Sequence, residues 1–401
     1  MRYALSAVLI ASTAILGASG AVAQEAGVFN IRLSAEALHD SNVARSDAAI
    51  AAARHITPDD WIYTPSVTVD ILKPLGKESL FLRGSAGYSF YQKNPVLNAE
   101  NLDLAGGANA RLGPCRATIT GDELRRRSEL QYVIVTSPAT VRNIEDNHSI
   151  GGDATCLRPT GLGVSFSASQ DWDQNSSAPF RSNDYQRSSF SGGLVFQRPT
   201  FGELSLSGQY GQTHYTNRLI LVAGQLRQDG YNSVSGNLSF DRRLGARIQA
   251  TLSVGYSTIQ PYVPGEPGFS GLTYSADIAY RPTGRITAHL MASQQTTPTN
   301  IIGASFADTR MYLAEGTYRI ASRLNFTLGA SQSQSRYHGA ALIPGVDLAE
   351  QTTRQVYSAL RFDLSRRFTI SANAQYEEGE ANLLAYDYHA TRVGVSLAAA
   401  F

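Results

Sequence analysis

The sequence lacks the local motifs of common enzymes and the long apolar runs of helical membrane proteins. After residue 23, no segment approaches the ~20 consecutive apolar residues that a membrane-spanning helix needs. There is no HExxH, GxSxG or SxxK motif, and the seven histidines are scattered without close pairs. The net charge is +1, so no basic surface for nucleic acid is indicated. We therefore predict no catalytic residues, metal site, cofactor or nucleic-acid partner.

Charged residues are also scarce. They make up 17% of the chain, whereas Gly (35) and Tyr (20) are abundant. A mean hydropathy of −0.18 is too polar for a bundle of membrane helices. The same value fits a transmembrane β-barrel, because lipid-facing and water-facing residues alternate along each strand and their contributions cancel.

The first 23 residues have the features of a signal peptide. Met1 and Arg2 form a short positive region, residues 3–17 are apolar or small, and Ala21 and Ala23 give the small-x-small cleavage pattern. We predict cleavage before Gln24, with residues 24–401 forming the exported domain. Export without a helical anchor is compatible with the periplasm, release from the cell or the outer membrane.

Alternation of apolar and polar residues dominates the rest of the chain, as expected for half-buried strands. Clear examples are residues 248–256, 324–331 and 368–376. Outside the signal peptide there is no convincing helical period. We count eighteen strands, with sixteen as the alternative, each as long as the ~9–11 residues that a tilted membrane strand needs. Two of them, 203–214 and 230–241, are separated by a predicted long loop.

Short turns and long polar loops alternate between the strands. The short turns are rich in Arg, Pro and Gly, as in residues 158–161, 198–202 and 281–284, and they recur every 36 to 45 residues. This is the layout of an antiparallel, up-and-down outer-membrane barrel, in which the short turns are periplasmic and the long loops extracellular. An even number of strands places both termini in the periplasm.

The parity of each strand predicts which side chains face lipid. On residues 270–281, Leu272, Ile278 and Tyr280 share the apolar parity, and Asp277 and Arg281 share the polar one. Aromatic residues of the apolar parity also gather near both strand ends, as the two interfacial belts of a barrel require.

The two cysteines supply a further test of the strand order. Cys115 opens one predicted strand and Cys156 closes the next, so antiparallel pairing brings both to the same end of one hairpin. Since an exported protein meets an oxidising environment, we predict a disulfide between them. Two unpaired buried thiols are the alternative.

A barrel of eighteen strands is wide enough to hold an aqueous channel. We expect its lumen to be lined by Ser, Thr, Asn, Gln and Gly, with charges of mixed sign, and we find no ring of Arg or Lys that a strongly acidic polymer would favour. Residues 123–128 could form a basic clamp at the extracellular mouth or a solvated loop. The pore-lining candidates are Asp103, Asp171, Arg187, Asp241, Asp277, Arg281, Glu315, Arg319, Arg361, Asp363, Glu377 and Arg392.

Two regions resemble known outer-membrane proteins. Residues 392–401 (RVGVSLAAAF) resemble the terminal strand that the barrel-assembly machinery reads, ending in the aromatic Phe401. Residues 35–43 (AEALHDSNV), 65–69 and 80–91 (LFLRGSAGYSFY) are similar to the putative β-barrel porin 2 family. This family includes outer-membrane proteins encoded with exopolysaccharide synthesis and export machinery. The resemblance implies an outer-membrane location and passage of a polysaccharide, with periplasmic export components as partners.

Three functions remain as hypotheses. The first is a non-enzymatic channel that exports exopolysaccharide across the outer membrane. The second is a general or sugar-selective diffusion porin, and the third is an outer-membrane hydrolase. The sequence itself does not identify the solute, the gating or the oligomeric state.

Overall fold

The computed structural model describes residues 27–128, 130, 142–222, 224–266, 268–299, 301, 304–339 and 348–401. The predicted signal peptide, residues 1–23, lies outside the described residues. None of the helices in the described ranges is long and apolar enough to cross a membrane.

The alternating segments form strands because apolar side chains on one face and polar side chains on the other match the two-residue period of a pleated sheet. The strands number eighteen, as the sequence predicts. They are β1 Val28–Asp40, β2 Asp60–Leu75, β3 Glu78–Tyr91, β4 Ala99–Leu112, β5 Cys115–Arg127, β6 Ile144–Leu157, β7 Leu162–Asn175, β8 Tyr185–Arg198, β9 Gly202–Val222, β10 Gln225–Leu244, β11 Ile248–Pro261, β12 Phe269–Tyr280, β13 Ile286–Pro298, β14 Phe306–Ala321, β15 Leu324–His338, β16 Glu350–Asp363, β17 Phe368–Ala381 and β18 Tyr388–Ala400.

The sheet closes on itself. Each strand pairs with the next in antiparallel register, and β18 pairs with β1, with Ala399 opposite Leu33. The backbone N–H of Phe401 donates to the carbonyl of Ile31 at 2.9 Å. Closure removes the unpaired edges that would leave backbone groups unsatisfied in lipid. The prediction of an up-and-down antiparallel barrel is confirmed. The strand count is the predicted eighteen and not the alternative of sixteen.

One face of the wall carries large exposed apolar side chains. Ile119 is 61% exposed and Leu272 is 64% exposed, although both lie in the middle of paired strands. Tyr280, Phe362 and Phe401 of the same parity are exposed near the short turns. A protein that exposes a continuous apolar band around a closed wall is stable in lipid rather than in water.

The connections differ at the two ends of the barrel. Eight short turns join β2 to β3, β4 to β5 and so on, and two of them contain Gly76 and Gly113 at φ +74° and +62°, a conformation that favours glycine. Nine further connections join β1 to β2, β3 to β4 and so on, and most are longer. By their length, the short turns are periplasmic and the long loops extracellular.

Two details differ from the expectations. Strands β9 and β10 extend well beyond 203–214 and 230–241, because most of the predicted loop continues as a hairpin after a register shift between Gln228 and Gly230. The second is a short helix that was not predicted from the sequence, α1, Ala48–Ala53, between β1 and β2. The Asp47 side chain caps this helix by accepting the backbone N–H of Ile50 at 2.7 Å.

Cys115 and Cys156 face each other in the register of β5 and β6. The structure joins them as a disulfide, at the periplasmic end of that hairpin. Among the described residues there is no free cysteine.

Candidate pore and its two ends

The strand register assigns one face of every strand to the lumen. In β11 and β12, for example, the exposed Val254 lies opposite Tyr274 on the lipid face, and Ser253 lies opposite Ser275 on the lumen face. The same alternation places eleven of the pore-lining candidates on lumen-facing positions, and Arg281 continues the lumen-facing parity one residue beyond the end of β12.

Hydroxyl groups pair across the lumen face in many places around the wall. The pairs, with the distance between their oxygens, are Ser34–Ser66 (2.7 Å), Ser167–Ser191 (2.7 Å), Ser205–Ser239 (2.6 Å), Ser253–Ser275 (2.9 Å), Thr309–Ser335 (3.1 Å) and Thr317–Thr327 (3.0 Å). Hydroxyl groups of this kind both donate and accept hydrogen bonds. A passing sugar can therefore exchange bonds with the wall without being held by a charge.

Several of the candidate charges are bonded to neighbours on the wall. Asp277 lies 3.1 Å from the Nε2 of His289, and Thr251 donates to Asp241 at 2.6 Å. Three more candidates are bonded on the wall. Glu315 accepts a hydrogen bond from the hydroxyl of Tyr357 at 2.7 Å. Arg361 and Asp363, both candidates, bond to each other at 3.2 Å, with Arg361 donating.

The other candidates lie at different heights of the lumen. Asp171 and Arg187 are opposite each other on β7 and β8, and Asp103 is opposite Ser85. Arg319 is close to the periplasmic end of β14 and Arg281 follows β12. The twelve candidates therefore share a face but do not form a single site.

The extracellular mouth contains an apolar cluster made by loops. Loop 1, residues 41–59, supplies Val43, Ala44, Ala51 and Ile56, which pack with Ile62 of β2. The loops that follow β3, β5 and β7 contribute one buried residue each, namely Leu97, Leu130 and Phe180. Because loops from four hairpins meet around lumen-facing residues, they narrow the mouth.

An ion-pair network holds loop 1 against the wall. Arg45 of loop 1 pairs with Asp40 of β1 at 2.6 Å and with Glu377 of β17 at 3.1 Å. Arg392 of β18 also contacts Asp40, at 3.0 Å. Burial alone would lower the pKa of Arg45, but the carboxylates of Asp40 and Glu377 outweigh it and raise that pKa above its ordinary value. Arg45 is therefore a fixed cation at the centre of the network.

A second anchor crosses the opposite side of the mouth. Arg218 of β9 pairs with Asp229 of β10 at 3.0 Å and donates to the carbonyl of Ala304, in the loop before β14. The hydroxyl of Tyr215 donates to the carbonyl of Ser305. The ring of Phe306 at the start of β14 lies 5.8 Å from the ring of Tyr231 on β10. Since β10 and β14 are four strands apart in the wall of eighteen, this contact joins two non-adjacent strands on one side of the mouth.

The arginines of residues 123–128 have partners on the protein. Arg125 pairs with Glu100 at 2.8 Å, Arg126 with Glu145 at 3.3 Å, and Arg127 donates to the hydroxyl of Tyr91 at 3.1 Å. Much of the positive charge expected for a clamp is thus compensated locally.

The periplasmic end collects unexpected positive charge. Arg32, Arg323, Arg361, Arg366 and Arg367 line one cavity of ≈ 300 Å³ together with Asp363. This group was not predicted from the sequence, and it is a local cluster of arginines and not a ring around the lumen. Arg32 is far from the other four in the sequence and joins them because β1 follows β18 around the closed wall.

Strand parity predicted the lumen-facing residues of the strands. These include Glu377 and Arg392 of the extracellular network and Arg361 and Asp363 of the periplasmic cavity. It did not predict the loop and turn residues that complete the two groups. Arg45, Arg218 and Asp229 lie at loop boundaries or a bulge, where strand parity makes no prediction. The spacing of Asp40 and Arg45, opposite charges five residues apart around a turn, was the available signal for the first anchor. Within the described ranges, no three His, Cys, Asp or Glu side chains are grouped as a metal site would require.

The closed wall, apolar outside and hydroxyl-lined inside, defines an outer-membrane β-barrel of the porin class. The family model described as putative beta-barrel porin 2 matches residues 199–401, and the chain belongs to this family. Comparison with curated proteins found no match.

Two solved structures are similar in fold. OccK2 (OpdF) of Pseudomonas aeruginosa is 12% identical with a TM-score of 0.50, and the match covers 94% of this chain and 99% of that one. A BenF-like porin from Pseudomonas fluorescens Pf-5 gives the same identity, TM-score and coverage. At this identity the likeness concerns the fold alone.

Proposed function

We propose that the protein is a diffusion channel for sugars and similar hydrophilic solutes in the outer membrane. The observation that carries the proposal is the set of hydroxyl pairs on the lumen face, such as Ser205–Ser239 and Ser253–Ser275. A wall of this kind keeps the lumen wet and offers weak, exchangeable hydrogen bonds. The loop clusters at the mouth make it a restricted channel rather than a wide open one.

Swelling of liposomes that contain the purified protein tests this proposal. Sugars of increasing size should enter, and Ser253→Trp, which adds bulk to the lumen, should slow entry several-fold. Val254→Trp is the matched control because it places the same side chain on the lipid face of the same strand. Wild-type liposomes that admit no sugar, or equal effects of the two variants, would contradict the proposal.

Export of exopolysaccharide is the second candidate. Two observations favour it. One is the resemblance of residues 35–43, 65–69 and 80–91 to a family that includes proteins encoded with polysaccharide export machinery. The other is the positive charge gathered at the periplasmic end, where an exported polymer would enter. Periplasmic export components would then be its partners. Deletion of the gene should reduce cell-surface polysaccharide, and unchanged polysaccharide would remove this candidate. No observation on the described residues favours the hydrolase.

We further propose that residues 1–23 are cleaved on export and that the terminal strand is read by the barrel-assembly machinery through Phe401. Phe401 is 67% exposed at the end of the wall, where a receptor could contact it. Deletion of Phe401 should lower the amount of folded barrel in the outer membrane, and an internal outward change such as Phe362→Leu serves as the control. Mass spectrometry of the mature protein tests the cleavage before Gln24.

A further inference from the structure

The arginine cavity at the periplasmic end lies on the lumen side of the wall. Arg32 is on the lumen-facing parity of β1, opposite Thr68 and Ala400, and Arg361 is on that of β16, opposite Asn325 and Ser371. Ala398 and Ala400 of the same parity on β18 form its floor. A solute in the lumen can therefore reach the cavity, whereas membrane lipid contacts the other face.

The positive charge of the cavity is largely uncompensated. Asp363 is the one carboxylate among the described lining residues, and it is already engaged by Arg361 at 3.2 Å and by the hydroxyl of Thr369 at 2.9 Å. Arg323 donates to the carbonyl of Leu364 at 3.4 Å. For Arg32, Arg366 and Arg367 the described part of the chain shows no side-chain hydrogen bond or ion pair. Five guanidinium groups around one occupied carboxylate leave a strong local excess of positive charge.

The side chains that line the cavity indicate which kind of ligand would neutralise its excess positive charge. Guanidinium groups present planar pairs of donors that match carboxylate and phosphate oxygens. Beside them lie the hydroxyl-bearing Ser365 and Thr369 and the small apolar Ala398 and Ala400. This mixture suits a ring that carries an oxyanion, hydroxyls and C–H groups together. A volume of ≈ 300 Å³ is at the lower end of the range for small-molecule pockets and exceeds what a single phosphate would fill.

We propose that this cavity binds the carboxylate groups of an acidic saccharide at the periplasmic entrance of the lumen. The assignment rests on the proposed function, in that the lumen is a route for saccharides, and it adds that the preferred saccharides are anionic. Binding at an entrance raises the local concentration of a charged solute and so its rate of entry. The neutral hydroxyl wall beyond it would let the solute move on.

Calorimetric titration of the full chain in detergent tests the site without requiring transport. The probes are trigalacturonate as the acidic saccharide, maltotriose as a neutral one of similar length, and inorganic phosphate. The variant is Arg32→Gln/Arg367→Gln, because the described structure shows no hydrogen bond or ion pair of either side chain that the change would break. The control is Arg198→Gln/Arg242→Gln, which removes the same charge at the same end. Arg198 and Arg242 both have the lipid-facing parity of their strands.

Trigalacturonate should bind the wild type and the control alike and bind the variant at least tenfold more weakly, and maltotriose should show no difference. Equal affinity of wild type and variant, an equal loss in the control, or no binding of trigalacturonate would overturn the proposal. Inorganic phosphate that binds as tightly as trigalacturonate would overturn the saccharide assignment. Binding without liposome swelling would reject the channel and leave this site standing; swelling without binding would do the reverse.

Discussion

The two ends of the barrel treat their charged residues in opposite ways. At the extracellular end, Arg45 is buried with Asp40 and Glu377, and its side chain is 7% exposed. At the periplasmic end, Arg32 and Arg367 border an open cavity and have no ion-pair partner among the described residues. A buried charge must be paired because an unpaired one costs several kcal/mol, roughly, in a medium of low polarity. The ion pairs of Arg45 at the extracellular end therefore hold loop 1 in place. At the periplasmic end, the guanidinium donors of Arg32 and Arg367 have no ion pair and are available to a solute.

The difference also separates two tasks along one lumen. The extracellular clusters restrict passage, since loops from several hairpins pack over lumen-facing residues. The periplasmic cavity is proposed to select solutes by charge, and the short turns at that end are not long enough to fold over the lumen. Each of the following substitutions alters one of the features on which this comparison of the two ends depends.

The largest effect is expected from Arg45→Met. Asp40 and Glu377 would lose their buried cation and keep only the more exposed Arg392. Breaking a buried ion pair costs about 3–5 kcal/mol. Loop 1 should detach, so that protease cleaves within residues 41–59 and liposomes swell faster. Arg83→Met is the control, because Arg83 pairs with Asp70 at 3.2 Å but is 60% exposed, and an exposed pair contributes about 0–1 kcal/mol. Equal protease resistance of wild type and Arg45→Met would contradict the account of the anchor.

The disulfide strengthens the periplasmic end by a covalent link. Replacing both Cys115 and Cys156 by Ser removes a bond across 41 residues of sequence. In the chain-entropy model a loop of this size contributes about 4 kcal/mol, which is an upper figure for a wall already held by backbone hydrogen bonds. The denaturant midpoint in detergent should fall, and reduction of the wild-type protein should produce the same shift. A midpoint unaffected by reduction would show that the link is not formed in the folded protein.

Both ends belong to one lumen only if the wall separates that lumen from lipid. Two neighbouring residues on opposite faces of the wall test this separation. Leu238 is on the lipid face of β10 and Ser239 on the lumen face. Leu238→Arg should destabilise the barrel by about 2–4 kcal/mol if it lies near the bilayer midplane. Ser239→Arg should leave unfolding in lipid vesicles nearly unchanged while altering ion selectivity. Similar destabilisation by both changes would mean that the faces are wrongly assigned.

The smallest effect is expected from Tyr215→Phe at the second anchor. The change removes the hydrogen bond to the carbonyl of Ser305 and leaves the ring packing intact, at a cost of about 0.5–1.5 kcal/mol. Proteolysis near residues 299–305 should increase slightly. Asp229→Asn should increase it much more, since Arg218 would then be buried without a full counter-charge. The reverse order would indicate that the tyrosine, and not the ion pair, is the main anchor.

The sequence predicted the wall well because strand parity is a local property. The alternation of Leu, Ile and Tyr with Ser, Thr and Asp identifies the faces of each strand, and the hairpin order then brings Cys115 opposite Cys156. The two ends could not be predicted in this way. Arg45 pairs with Glu377 only after the last strand has closed against the first. In the same way, Arg32 and Arg367 line one cavity only in the closed barrel. In both cases the two residues are more than 300 positions apart in the sequence.

The loops escaped prediction for a related reason. Loop 1 forms the helix α1 from a run of alanines that has no amphipathic pattern, and its apolar residues are buried by other loops rather than by their own sequence neighbours. The bulge at Asp229 similarly depends on the loop before β14, which supplies its hydrogen-bond partners.

The central claim is that the lumen is open to the periplasm and restricted on the outside by anchored loops. A single cysteine at Ser253, in a background with Cys115 and Cys156 replaced by Ser, can be labelled with a bulky hydrophilic maleimide from either side of the outer membrane. The account predicts fast labelling from the periplasmic side and slow labelling from outside, with the difference lost in Arg45→Met. Equally fast labelling of the cysteine from outside, with Arg45 in place, would contradict it.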